Sequence, residues 1–447
     1  MSNKSKQWGA IIVMFALFAM IAFVTNLCSP MAVIVKNQFG ATNLQSQIGN
    51  YGNFIAYLIM GIPTGMLLKK IGYKRTALLA LIVGLVAVFI QYMSGWESMQ
   101  GCAFWVYLTG AFIGGLCMCM LNTVVNPMLN ILGGGGDKGN QLLQIGGVFN
   151  SAAAVAVYII MGALIADATK ATVSDATPAL FIAMGIFAIA FVVILFTKID
   201  EPERADLKKI DEKEHAKAAP AGQKDKYSAF SFRHFRLGIL AIFLYMGVEV
   251  GTPTYILQYL TAAPDAVTPG LGMDAGIVGL IVAVYWLMML VGRFVGGMIG
   301  GKVSSRKMIT VVSIASIALI LFGMFAPAGI TVNVPGIDWA KLSVIWAEVP
   351  VGIFAFILVG LCTSVMWGGI FNMAVEGLGK YTAIASGAFM TMVFGCAVMV
   401  AIQAWVADIT GSYMISYFVP LACAAYILYY ALLGSKNVNT DIPVAGE

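Results

Sequence analysis

The chain has 447 residues, 60% of them hydrophobic and 11% charged, with a mean hydropathy of +0.88 and a formal net charge of +5. A soluble globular protein carries roughly twice that share of charge. The composition therefore excludes a water-solvated core as the main architecture and predicts an integral membrane protein, in which about 20 apolar residues make one crossing.

Taken in chain order, apolar runs of spanning length fall at 9–35, 47–68, 76–94, 103–130, 141–166 and 178–197, and after a charged interval at 236–260, 275–300, 307–328, 345–372, 383–408 and 413–434. Twelve transmembrane helices are predicted, an all-α membrane fold in two sets of six. The first run follows Lys4 and Lys6 but continues to Val35 without a small-residue cleavage pattern, so it reads as a retained helix. The interval Lys198–Arg236 holds ten of the 26 basic and eight of the 21 acidic residues. It reads as a solvated linker, with a short amphipathic helix expected near Phe230–Phe235 on the membrane surface. The predicted domains are 1–197, a linker at 198–235, and 236–447.

Lys and Arg are retained on the cytoplasmic side of short loops. The side that carries the N-terminus holds 22 of them, the opposite side three (Lys36, Lys170 and Lys341), and Arg293 lies inside the eighth run. This alternation predicts an inner-membrane protein with both termini cytoplasmic, and it explains the positive net charge without nucleic acid. The seven cysteines show neither a disulfide framework nor a metal spacing. Gly133-Gly134-Gly135-Gly136 lacks the Lys-Ser/Thr of a phosphate loop and reads as a turn between helices four and five, so no cofactor is expected.

The two sets of six echo one another. Gly65-Met-Leu-Leu-Lys69-Lys70-Ile-Gly72-Tyr-Lys74-Arg75 links the second and third helices, and Gly297-Met-Ile-Gly-Gly301-Lys302-Val-Ser-Ser-Arg306-Lys307 links the eighth and ninth, 232 positions on. Parallel six-helix repeats joined by a charged linker are the plan of many secondary transporters, with substrate bound near the midplane between the halves. The pattern resembles the major facilitator superfamily, whose basic, glycine-bearing loops sit at these two places; Lys69 stands near where the first loop usually has an acid. Within that superfamily the chain resembles the bacterial fucose, glucose and galactose proton symporters. The matching stretches are Asn26-Leu27, Ile62-Pro63-Thr64-Gly65 to Lys74, Asn122-Thr-Val-Val-Asn126-Pro127, Phe149-Asn150-Ser151, Phe243-Leu-Tyr245-Met-Gly247-Val-Glu249-Val and Gly292-Arg293-Phe294.

Polar groups inside spans are costly and mark candidate sites. The first half contains no charged residue or histidine within its spans and offers Asn26, Ser29, Tyr57, Asn122, Asn126 and Asn150; the second offers Tyr255, Gln258, Trp286, Trp367 and Asn372. Amides can bond pairs of hydroxyls and rings can stack on a pyranose, so these are the candidate contacts for a neutral sugar, although membrane asparagines also serve simply to bond neighbouring helices. Pro30 and Pro253, in the first helix of each half, can break those helices and free backbone carbonyls beside a cavity.

The resemblance implies two membrane acids in the first half, and both are missing: Ser29 stands at the aspartate and Asn122 at the proton-carrying glutamate. The usual glutamine two residues before Phe149 is also replaced, by Gly147. That leaves Glu249 as the ion-coupling candidate, since a carboxyl at that depth could take up and release a proton or help hold sodium. It could equally be a hydrogen-bonded tie or a sugar-hydroxyl acceptor. Arg293, towards the cytoplasmic end of helix eight, is expected to snorkel or to pair with a loop acid. Glu348 is expected at the outer start of helix ten.

The expected function is uptake of a neutral hexose or deoxyhexose by alternating access, coupled to proton or sodium, by a protein that works as a monomer. The loops bearing Gly65, Lys69, Lys70, Lys74 and Arg75, and Gly297, Lys302, Arg306 and Lys307, are expected to form the cytoplasmic gate. The alternatives are a carrier for a sugar acid, amino sugar or nucleoside, or an uncoupled sugar uniporter. An intramembrane enzyme is disfavoured because both histidines, His215 and His234, lie in the linker.

Overall fold

The computed structural model describes residues 2–39, 43–164, 172–174, 176–197, 227–262, 264–265, 268–273, 275–327, 329–338 and 343–444. Helices α1 to α6 span Ser2–Phe39, Asn43–Ile71, Tyr73–Met93, Ala103–Leu132, Gly136–Leu164 and Thr177–Phe196; α7 to α9 span Arg233–Thr261, Ala275–Ile299 and Ser305–Phe325. The last three are interrupted: α10 (Val351–Val375) at Ser364, α11 (Gly379–Thr410) by a 3-10 turn at Met392–Phe394, and α12 (Tyr413–Gly434) near Tyr417. Among the described residues eleven helices are long and apolar enough to cross a membrane, and α5 takes the remaining place in the twelve-helix order.

By internal contacts the chain divides into two units, Met1–Phe235 with Val375–Met392 and Asn437–Glu447, and Arg236–Ala374 with Val393–Lys436. In the first, α4 packs on α2 and α3, and α5 on α1. The α2–α4 approach is set by Gly115, where a Cβ would meet Asn53 Cα at 2.7 Å. In the same unit the first segment of α11 lies along α2: a Cβ on Gly65 would meet the Ala383 carbonyl at 2.8 Å, and one on Gly61 would fall on Thr391. In the second unit α10 packs on α8 and α9, with Gly360 against Tyr285 and Gly292 against Ser364. Close approach of backbones through small residues is how helices associate in lipid, where no hydrophobic driving force favours one apolar face over another.

The repeat reappears in the way the helix ends are tied. Lys74 Nζ donates to the carbonyls of Leu195 and Thr197 at 2.9 and 2.7 Å, at the C-terminus of α6. Arg306 Nε donates to Ser435 Oγ at 3.2 Å, just past the C-terminus of α12. In each half a basic residue from the equivalent loop sits where unpaired carbonyls and the helix dipole favour a cation.

Three expectations are corrected. The apolar run begun at 345 is not helical at its start: Thr331–Asp338 (β1) and Ser343–Pro350 (β2) form an antiparallel hairpin with Val332 opposite Val349 and Pro335 opposite Trp346. Val344, Ile345, Ala347 and Val349 raise the hydropathy of the window, but a short apolar run rich in β-branched and aromatic residues forms a strand as readily as a helix start. Glu348 consequently lies on β2, where it accepts from Thr331 Oγ1 at 3.2 Å, rather than at the start of a helix. The expected surface helix near Phe230–Phe235 is a single 3-10 turn, Ala229–Ser231, leading straight into α7, with Phe232 and Phe235 buried. Helix α7 begins at Arg233, three residues before the sequence-based boundary; residues 198–226 of the linker lie outside the described residues.

Candidate functional site

In the first half, α2 and α4 run in register from the Gly115 contact, which brings Tyr57, one turn beyond Asn53, to the face of α4 that carries Asn122 and Asn126. Asn122 Nδ2 donates to the Tyr57 hydroxyl oxygen at 2.7 Å and to the Met118 carbonyl at 3.1 Å. Asn126 Nδ2 donates to the Asn122 carbonyl at 2.8 Å and lies 3.5 Å from its Oδ1. Three of the predicted residues thus form one uncharged cluster of donors and acceptors. Asn26 and Asn150 are held elsewhere, Asn26 Nδ2 on the Ala22 carbonyl at 2.8 Å and Asn150 Nδ2 on the Phe18 carbonyl of α1 at 3.2 Å. The side chain of Ser29 lies outside the described residues.

The second half is organised around Pro253. The helix runs unbroken through it, but proline has no N–H for the carbonyl four residues earlier, and hydroxyls serve the carbonyls around it. Tyr285 on α8 donates to Glu249 at 2.9 Å, Tyr417 on α12 to Thr252 at 2.9 Å, and Thr254 to Val250 at 2.7 Å. The Glu249 carboxylate, turned from the same backbone, meets Arg293 of α8 with Oε1 3.4 Å from a guanidinium nitrogen, and the two side chains are 11% and 12% exposed. Arg293 therefore pairs with an acid inside the membrane span, and its charge is already matched rather than open to an anion. The Tyr245 hydroxyl, one turn before Glu249, is buried beside that carboxylate without a well-aligned hydrogen bond, and its ring lies 6.2 Å from that of Trp367 on α10.

The other predicted residues of this half are dispersed. Tyr255 is buried and donates to the Val400 carbonyl of α11 at 3.2 Å. Gln258 is exposed near the end of α7. Trp286 stands edge-on to Tyr285 with ring centres 5.5 Å apart. Asn372 is buried and donates to Ser305 Oγ at 2.9 Å, at the start of α9 beside the basic loop. Sequence reasoning missed Tyr285 and Tyr245 as members of the site; Tyr245 sat in view, four residues before Glu249 in the same quoted motif.

Of the predicted gating residues, Gly65 is packed against the first segment of α11, while Lys74 and Arg306 are engaged within their own halves as helix-end ties. Lys69, Lys70, Arg75, Lys302 and Lys307 are exposed, and Gly297 is buried. Among the described residues no three His, Cys, Asp or Glu side chains come together as a metal site would require.

A family model described as Major Facilitator Superfamily matches residues 13–402. The chain belongs to the major facilitator superfamily. It is thus a multi-pass membrane protein of a transport family and not an enzyme. The resemblance drawn from its motifs is borne out along nearly the full length. A glucose/galactose transporter of Brucella abortus is 29% identical over 442 residues, covering 98% of this chain and 97% of that protein. The L-fucose-proton symporter of Escherichia coli is 23% identical over 446 residues, covering 95% and 92%. Among solved structures, the superfamily transporter FucP in the outward conformation superposes with a TM-score of 0.75 at 20% identity, covering 96% of this chain and 99% of that one. The proton:xylose symporter XylE bound to 6-bromo-6-deoxy-D-glucose gives 0.70 at 13% identity, covering 97% of each chain. At these identities the structural matches speak for the fold alone.

Proposed function

We propose that this superfamily member takes up a neutral monosaccharide, a hexose or deoxyhexose, by alternating access, in which the substrate site is reachable from one side of the membrane at a time. The observation that carries the reading is the full-length similarity to proteins named glucose/galactose transporter and L-fucose-proton symporter, on a chain whose first half presents an uncharged Tyr57–Asn122–Asn126 cluster. Amides and a phenol suit sugar hydroxyls, and Trp367 and Trp286 supply ring faces. Asn26, Ser29, Asn150, Tyr255, Gln258 and Asn372 complete the candidate set. The 22-to-3 distribution of basic residues supports cytoplasmic termini in an inner membrane.

Coupling is assigned to Glu249, with the proton as the ion. A sodium ion on that carboxylate would have to displace or sit beside the Arg293 guanidinium at 3.4 Å, and two like unit charges at about 4 Å repel by about 4 kcal/mol even at an effective dielectric of about 20. A proton neutralises the carboxylate in place and adds no second positive charge. The test is uptake of radiolabelled glucose, galactose and fucose into reconstituted vesicles under imposed proton or sodium gradients, comparing the parent with Glu249→Gln. Accumulation driven by the proton gradient in the parent and lost in the variant is expected. Unaltered accumulation in the variant would sink the coupling assignment, and no uptake of any of the three sugars would sink the substrate class.

A further inference from the structure

Glu249 is gripped twice by one helix. Tyr285 holds its main-chain carbonyl at 2.9 Å, and Arg293, two turns later on α8, holds its carboxylate at 3.4 Å. The first contact exists because Pro253 leaves that carbonyl without its helical partner. The tyrosine hydroxyl also lies 3.3 Å from Thr363 Oγ1 on α10, the last residue before that helix breaks at Ser364. At the same level Gly360 admits the Tyr285 backbone and Gly292, next to Arg293, admits Ser364. The Pro253 turn of the continuous α7 and the interruption of α10 are therefore bridged by Tyr285, with the ion pair alongside.

We infer that Tyr285 and Arg293 are positioning residues for the coupling proton, holding Glu249 by backbone and side chain so that its protonation is transmitted to the break in α10. This rests on the reading of Glu249 as the coupling group. In the ionised state the carboxylate is paired with Arg293. A proton taken from water onto a carboxylate oxygen leaves the guanidinium facing a neutral carboxyl, so this contact loosens and one of the two grips of α8 on Glu249 weakens. Release of that proton to the opposite side restores the pair. The groups facing Glu249 are Arg293 and Tyr285 from α8, Tyr245 from α7 itself and Cys396 from α11, with Thr363 and Cys362 of α10 behind Tyr285.

The test is counterflow of whichever of glucose, galactose and fucose is taken up, at equal pH on both sides, over a series of pH values. Tyr285→Phe keeps the ring and removes the hydroxyl; Arg293→Lys keeps the charge and loses the fork. Each is expected to move the midpoint of the pH profile by about half a unit or more, the scale of one hydrogen bond, and Tyr285→Phe is expected to have no such effect when added to Glu249→Gln/Arg293→Gln. A ring with a merely structural role would change the rate without moving the midpoint. A Tyr285→Phe midpoint that stays at the parent value overturns the inference, as does a shift that persists without the carboxylate. If Glu249→Gln alone keeps the parent's pH profile, the coupling reading itself has failed, which is a distinct outcome.

Discussion

The Glu249–Arg293 pair makes a quantitative prediction through substitutions that remove its charges singly and together. Taking one partner from a fully dry pair leaves an uncompensated charge and costs about 3–5 kcal/mol. Here the contact is 3.4 Å and the side chains keep 11% and 12% exposure, so water screens the remaining charge and the cost falls below that range. Glu249→Gln and Arg293→Gln should each destabilise the protein by about 2 kcal/mol, whereas the double variant, which buries two neutral amides able to bond each other, should cost about 1 kcal/mol. The resulting coupling of about 3 kcal/mol lies at the upper end for residues in contact. Reversible unfolding in mixed micelles, followed by tryptophan fluorescence for the four proteins of the cycle, measures it. If the two single effects add to within about 0.5 kcal/mol in the double variant, the two charges are not energetically paired and the argument against sodium at this site falls with them.

Asn122→Ala removes the amide that bonds Tyr57 at 2.7 Å, and if the cluster contacts sugar it should raise the KM of uptake about fivefold, the worth of about 1 kcal/mol of binding, with Vmax within about twofold. A fall in Vmax at constant KM would identify Asn122 as a tie between α2 and α4 instead. Gly387→Val places a side chain on the Gly61 carbonyl and 2.9 Å from Gly65 Cα, an overpacking that should cost about 1–3 kcal/mol and lower the thermal midpoint. Gly185→Val, where a Cβ meets nothing within 4 Å, should leave the midpoint near that of the parent; equal effects of the two would refute the α2–α11 seam.

What could be read from the sequence follows from which forces act locally. Lipid demands about 20 apolar residues per crossing regardless of tertiary context, so the order of helices was legible, and the basic loops at Gly65 and Gly297 fixed the repeat. Hydropathy alone does not tell a strand from a helix, which is why the run through Val344, Ile345 and Trp346 read as the start of a helix when it forms β2. The partner of Arg293 was out of reach for another reason. Glu249 lies 44 residues away on a different helix, and no spacing rule reports contacts between helices. The same holds for Tyr285, a tyrosine among apolar neighbours whose role appears only once the carbonyl freed by Pro253 is placed against it.

The repeat gives the missing first-half acids a physical sense. Asn26 stands four residues before Pro30 as Glu249 stands four before Pro253, an offset of 223, against 232 at the two basic loops. The difference of nine lies close to the ten-residue difference between the connections, since α1 and α2 are joined by residues 40–42 but α7 and α8 by 262–274. Asn26 and Glu249 thus occupy equivalent places, each beside a proline in the first helix of its half. In the first half that place holds an amide, folded back on the Ala22 carbonyl. In the second it holds a carboxylate, matched by an arginine from the next helix. A buried charge costs several kcal/mol to keep and repays that cost in stability only with good geometry. Glu249–Arg293, at 3.4 Å, is a long contact for an ion pair. A pair that contributes little to stability and sits between the proline of one helix and the break of another fits a group that must change charge during the cycle. On the proposed reading of Glu249, the proton would be carried by one half of the repeat and the first half left to bind with neutral groups.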